Sequence, residues 1–171
     1  MSVLTRGFVM WAMLSLAMLL GGCVTPARAP GGFTAAQRAV LEAQGFREQD
    51  GNYLLGLNNR VLFDFDSSAL KPETAVMLRE LGQVLSAVGI GSARIEGHAS
   101  SEGSASYNLA LSERRARAVG AMLVEGGMRA EAMRLVGLGA SDPVASNDTP
   151  EGREQNRRVV IVVTPADAMA R

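Results

Sequence analysis

The sequence holds one cysteine (Cys23), one histidine (His98) and one lysine (Lys71). A lone cysteine excludes an internal disulfide framework and a zinc site of the Cys-x-x-Cys type. It leaves that residue as a buried bystander, a nucleophile or a processed residue, and its position decides among them. A lone histidine with scattered carboxylates gives no metal-ligand spacing. No glycine-rich phosphate loop occurs, and no internal repeat is visible. Charge of one sign is also lacking, because 17 Lys+Arg balance 17 Asp+Glu. That argues against nucleic acid as a partner, which calls for a basic excess. What remains is a chain of 171 residues, 47% of them hydrophobic, enough for one modest domain with a buried core.

Nor is there an apolar run of the roughly 20 residues that a membrane-spanning helix requires. Phe8–Leu20 is a 13-residue apolar stretch broken only by Ser15. With Arg6 before it, this fits a signal-peptide core. Leu20-Gly21-Gly22-Cys23 follows, and it resembles the lipobox of bacterial lipoproteins. Small residues admit the peptidase, and the thiol carries the lipid. The alternative is an ordinary secretory signal with a chance cysteine. The expectation is a signal peptide over 1–22 and acyl chains such as palmitate on Cys23. Several chains anchor stably where one is marginal. In such lipoproteins an Asp after the Cys favours the inner membrane, so Val24 points to the outer membrane and its periplasmic side.

Residues 23–32 read as the lipidated cysteine and a flexible tether rich in Pro and Gly, spanning at most about 30 Å. Thr34…Gln37 matches a capping box and Gly45 a C-terminal stop, which predicts a helix over 35–44. Asp50-Gly51 suits a type I′ turn between two short strands. Residues 33–58 are therefore expected as an N-terminal extension packed on the main domain. From residue 59 strands alternate with helices, implying α/β layer packing. Val61–Phe65 reads as a strand. Pro72 opens a helix carrying Leu78, Leu81, Leu85 and Val88. A strand over 93–98, a helix over 106–125, a strand over 134–138 and a loop over 139–150 follow. Val159–Val163 is apolar throughout and so is expected at the centre of the sheet.

Gly97-His98-Ala99-Ser100, Tyr107-Asn108, Leu111-Ser112-Glu113-Arg114-Arg115-Ala116 and Asn156-Arg157-Arg158 resemble the OmpA-like domain. Phe63-Asp64-Phe65-Asp66 and the stretch Gly137–Pro143 add to the likeness, which covers about residues 59–164 and leaves 165–171 as a tail. That domain is shared by OmpA, the peptidoglycan-associated lipoprotein and flagellar stators. The resemblance implies a two-layer α/β sandwich with helices on one face of a mixed sheet. It also implies non-covalent binding of peptidoglycan through the diaminopimelate of the stem peptide. The free end of that residue is a zwitterion, so the site needs an acid for the ammonium and guanidinium groups for the carboxylate.

The family carries Asp at the fourth position of Gly-His-Thr-Asp and Arg fifteen residues later. Here the Arg is Arg115, but the acid is replaced by Ser100. Asn108 lies seven residues before Arg115, about two helical turns, so both point the same way. Asp66 and Arg157 complete the set that the resemblance implies, with Ala99, Glu102 and Arg158 as further rim positions. Outside this setting Arg115 reads as a solvated residue or an ion-pair partner of Glu96 or Glu113. A charge-assisted hydrogen bond contributes ~1.5–3 kcal/mol and a neutral one nearer ~1, so loss of the acid predicts binding weakened about tenfold or more. Ser100 accepts from the ammonium itself, or Glu102 reaches in, or the domain has become a scaffold that binds an envelope protein instead.

Glu96, His98 and Ser100 stand two apart and invite a hydrolase reading, but no nucleophile-elbow motif accompanies them. The expectation is no enzyme activity and no cofactor beyond the covalent lipid. Sixteen of the 17 basic residues are arginine, which reads as compositional bias, so only motif arginines carry weight.

Overall fold

A computed structural model of the chain describes residues 32–64 and 67–168. Cys23, the segment expected as signal and tether, and Asp66 lie outside the described residues. The elements are α1 (Ala35–Ala43), β1 (Arg47–Gln49), β2 (Asn52–Asn58), α2 (Asn59–Leu62), α3 (Pro72–Ala87), β3 (Arg94–His98), α4 (Ala105–Glu125), β4 (Arg134–Gly139), α5 (Pro150–Asn156) and β5 (Arg158–Val163). A single 3₁₀ turn, Ala130–Ala132, precedes β4.

The sheet has five strands in the order β1-β2-β5-β3-β4. β3 and β4 run parallel, and the other pairs are antiparallel. β5 lies in the middle, as its unbroken apolar run predicts. Val159 to Val163 are all at most 8% exposed, and each such side chain contributes ~1.5–3 kcal/mol on burial. Alternation then sorts the neighbours. Ile95 faces the helices with Val159 and Ile161, while Arg94 and Glu96 point to the opposite face. The result is a mixed sheet with α3 and α4 packed on one side.

Residues 33–58 are not merely laid on the domain. β2 pairs with β5 from Tyr53↔Val163 to Asn58↔Arg158, so this segment supplies two strands of the sheet itself. The predicted local signals are present. Gln37 N donates to Thr34 Oγ1 at 3.1 Å and Thr34 N to Gln37 Oε1 at 3.0 Å. Asp50 and Gly51 take φ of 51° and 76°, as a type I′ turn demands.

Two expectations fail. Residues 61–64, the described part of the expected strand Val61–Phe65, do not form a strand. Asn58 Oδ1 accepts from Arg60 N at 2.8 Å and caps the short helix α2, leaving Phe63 with one isolated bridge to Leu70. Leu62 and Phe63 are neighbours and both buried, which an alternating strand does not allow. The predicted loop 139–150 ends in a further helix, α5. Thr149 Oγ1 accepts from Gly152 N at 3.1 Å and Pro150 opens the first turn.

α4 lies unusually close to the sheet. A Cβ on Gly97 would collide with the Ser112 carbonyl, and one on Gly137 would sit 2.7 Å from Glu113 N. Glycine at these two strand positions therefore lets the helix backbone approach. The buried stripe of α4 begins polar, with Asn108, Ser112 and Arg115, and ends apolar, with Val119 and Leu123. Its polar half borders a cavity.

Candidate functional site

The cavity has a volume of about 780 Å³. Its walls come from α2 and the loop after it, the loop after β3, the first half of α4, and α5 with Arg157. Among the described lining residues, Arg60, Lys71, Arg115 and Arg157 face Asp64, Glu102 and Glu154. It is a mixed-charge pocket, suited to a ligand carrying both signs.

Arg115 is 3% exposed. Its Nε donates to the Ser67 carbonyl at 2.9 Å, and its guanidinium carbon lies 5.3 Å from the centre of the Phe63 ring. These contacts fix the plane of the guanidinium and offset the cost of burying it. The two carboxylates named as alternative partners are engaged elsewhere, Glu96 by Arg94 at 3.1 Å and Glu113 by Arg117 at 2.6 Å.

Asn108 lines the same wall, as the seven-residue spacing predicts. Its Nδ2 donates to the carbonyls of Ser100 at 3.1 Å and Glu102 at 2.8 Å. Both amide hydrogens are thus spent on the loop after β3, so Asn108 positions that loop rather than offering a donor to a ligand. Ala99 also borders the cavity, and its N–H donates to the Gly139 carbonyl at 2.7 Å. Ser100 is 4% exposed, and its Oγ accepts from Arg157 Nη1 at 3.3 Å.

Glu102 reaches into the site. One oxygen meets Arg153 Nε at 3.1 Å, and the other meets Arg157 Nη1 at 3.2 Å. Arg157 Nη2 meets Glu154 Oε2 at 2.6 Å, and that oxygen also meets Arg60 Nε at 3.0 Å. The order Arg153, Glu102, Arg157, Glu154, Arg60 is a chain of alternating charges along one wall. Sequence reasoning missed Glu154, Arg60, Asp64 and Lys71. For Glu154 a signal existed, since it stands three residues before Arg157, a spacing that pairs side chains on a helix. It went unread because α5 did. Lys71 Nζ donates to the Arg60 carbonyl at 2.7 Å, a contact that no local pattern announces.

Arg158 is corrected. It is the first residue of β5, and its Nη2 meets Asp142 Oδ2 at 3.1 Å, away from the cavity. Strand alternation sends it to the face opposite the helices. His98 shares that face. It is 1% exposed, with Glu96 Oε2 at 3.7 Å and Asp142 Oδ2 at 3.6 Å. Burial and then the Arg158 charge lower its pKa to about 4, so the imidazole is neutral at pH 7. His98 is separated by the sheet from the cavity that holds the Ser100 hydroxyl, so the two do not form a base and nucleophile. Among the described residues no three His, Cys, Asp or Glu side chains group as metal ligands, and no helix is long and apolar enough to cross a membrane.

Residues 62–157 match the model of the OmpA family. The chain belongs to the OmpA family. This family is structural rather than catalytic, and the helix-on-sheet layering described above is its fold. Among OmpA-family relatives, the outer-membrane lipoprotein YfiB of Pseudomonas aeruginosa is 42% identical over 156 residues, covering 91% of this chain and 92% of that protein. The peptidoglycan-associated lipoprotein of Rhizobium meliloti is 31% identical over 163 residues, covering 95% and 91%. The crystal structure of the peptidoglycan-associated lipoprotein from Burkholderia pseudomallei superposes with a TM-score of 0.53 at 34% identity, covering 60% of this chain and 86% of that one. The relatives thus include lipoproteins of the outer membrane and proteins associated with peptidoglycan.

Proposed function

We propose that this chain is an outer-membrane lipoprotein, anchored through Cys23 on the periplasmic side, whose OmpA-family domain binds peptidoglycan non-covalently and so links membrane to wall. The observation that carries the reading is the mixed-charge cavity around Arg115. A buried, oriented guanidinium is suited to fork a carboxylate, and the carboxylates along the same wall suit an ammonium. The ligand that fits is the free zwitterionic end of diaminopimelate in a stem peptide. Arg115 receives its carboxylate. Arg157 adds positive potential, Ser100 a hydroxyl, and Asn108 and Ala99 hold the loop in shape. Asp66 belongs to the rim on the resemblance alone. The reading requires no turnover and no cofactor beyond the covalent lipid.

Sedimentation with purified sacculi tests this. Wild type is expected in the pellet and Arg115→Ala in the supernatant, and a wild type that stays in the supernatant overturns the proposal. The neutral side chain of Ser100 favours a second reading, a scaffold that has lost the wall and binds an envelope protein. The same wild-type result decides between them. Membrane fractionation tests the anchor, since Cys23→Ser is expected to leave the outer-membrane fraction.

A further inference from the structure

A zwitterion needs an acid on the wall, and residue 100 is a serine. The described lining offers three carboxylates. Asp64 makes no side-chain hydrogen bond or ion pair with another described residue, so none of them orients it. Glu154 has Oε2 occupied by Arg60 and Arg157, and its Oε1 is buried without a hydrogen-bond partner. Neither of its oxygens is open to an incoming group. Glu102 differs from both. Its side chain is 61% exposed, yet each oxygen is held by a guanidinium.

Glu102 also stands beside the serine, with Oε2 3.5 Å from Ser100 Oγ. Its backbone carbonyl is tied to Asn108 at 2.8 Å, and Gly103 follows at φ +86°, so the turn that presents it is fixed at both ends. A carboxylate has about four lone-pair sites. Two guanidinium contacts and one hydroxyl leave room for a further donor. Arg157 keeps Glu154 as a second counter-charge, so drawing Glu102 onto a ligand does not strand it.

We propose that Glu102 is the acid that receives the ligand ammonium, that Arg153 and Arg157 hold it in place, and that Ser100 contributes only a neutral hydroxyl. This rests on the reading of the cavity given under Proposed function. The acid of the site has changed its position in the loop, not disappeared.

Calorimetric titration of the full-length protein in detergent with two synthetic peptides tests it. One is L-Ala-γ-D-Glu-meso-diaminopimelate, and the other is the same tripeptide with the amine of the diaminopimelate side chain acetylated. Wild type is expected to bind the free amine about tenfold tighter, the factor for ~1.4 kcal/mol. Glu102→Gln is expected to bring that ratio close to one while binding the acetylated peptide as wild type does, which also reports that its pocket is folded. Adding Ser100→Asp to Glu102→Gln is expected to restore discrimination. A Glu102→Gln protein that keeps the wild-type ratio overturns the role of Glu102 and leaves the wall-binding reading standing. A wild type that binds neither peptide nor sacculi overturns that reading, and the role of Glu102 with it.

Discussion

Replacing Arg115 by alanine removes one side chain that works in two ways, and the two are separable. The guanidinium donates to the Ser67 carbonyl at 2.9 Å and lies over Phe63. A hydrogen bond from a charged group contributes ~1.5–3 kcal/mol and a cation–π contact ~0.5–2 kcal/mol. Against this stands the cost of keeping a charge at 3% exposure, which cancels part of that gain. The net destabilisation is therefore expected at ~1–3 kcal/mol, a drop of ~2–12 °C in thermal midpoint for a chain of this size. Binding is expected to fall much further. The fork to a carboxylate is two charge-assisted bonds, and losing it costs ~3 kcal/mol or more, a factor beyond ~100. Arg115→Lys separates the effects, because it keeps the charge while losing the planar fork. Thermal unfolding and peptide titration of both variants provide the assay. Arg115→Lys binding within about threefold of wild type, with stability intact, would refute the claim that the guanidinium's geometry is what the site uses.

Other consequences follow from the packing. Gly97→Ala places a methyl against the Ser112 carbonyl, and overpacking of this kind costs ~1–3 kcal/mol; chemical denaturation is expected to show the loss, and an unchanged midpoint would contradict the close approach of α4. Asn156 is fully buried, accepts from Val144 N and Ala145 N, and donates to the Ala145 carbonyl and to Asn147. Asn156→Ala is expected to cost ~3 kcal/mol by leaving buried groups unpaired, with loss of hydrogen-exchange protection over 144–147. His98 has a folded pKa of about 4, below the ordinary value of 6.5, so the unfolded chain binds its proton first. With Glu96, Asp142 and Arg158 around it, stability is expected to be full above pH 6.5 and to decline towards pH 4. A His98→Gln protein is expected to have the flatter profile, and identical pH profiles for the two would remove His98 as the cause.

The elements most easily read from sequence were those whose signals are local. The Thr34 capping box, the Asp50-Gly51 turn and the apolar run of β5 each specify their structure within a few residues. The motifs that carried the family resemblance were also contiguous. α5 was missed although Thr149-Pro150-Glu151 opens it much as Lys71-Pro72-Glu73 opens α3. Its seven residues carry too little apolar periodicity to stand out from a loop. Val61–Phe65 misled because adjacent apolar residues suit a buried turn as well as a strand.

The site divides along the same line. Sequence by itself placed Arg115 and Asn108 on one face of one helix, since helical geometry fixes residues seven apart. It also named Ser100 as the departure from the family pattern and Glu102 as an acid within reach. Tertiary structure alone decided what surrounds them. It set Arg157 against Glu102 and Glu154, sent Arg158 to the other face of the sheet, and gave the donors of Asn108 to the loop. The reason is physical: Glu102 and Arg157 are separated by 55 residues of chain. Such a pair is fixed by where the loop after β3 and the end of α5 come to lie beside the central strand, and no local periodicity encodes that.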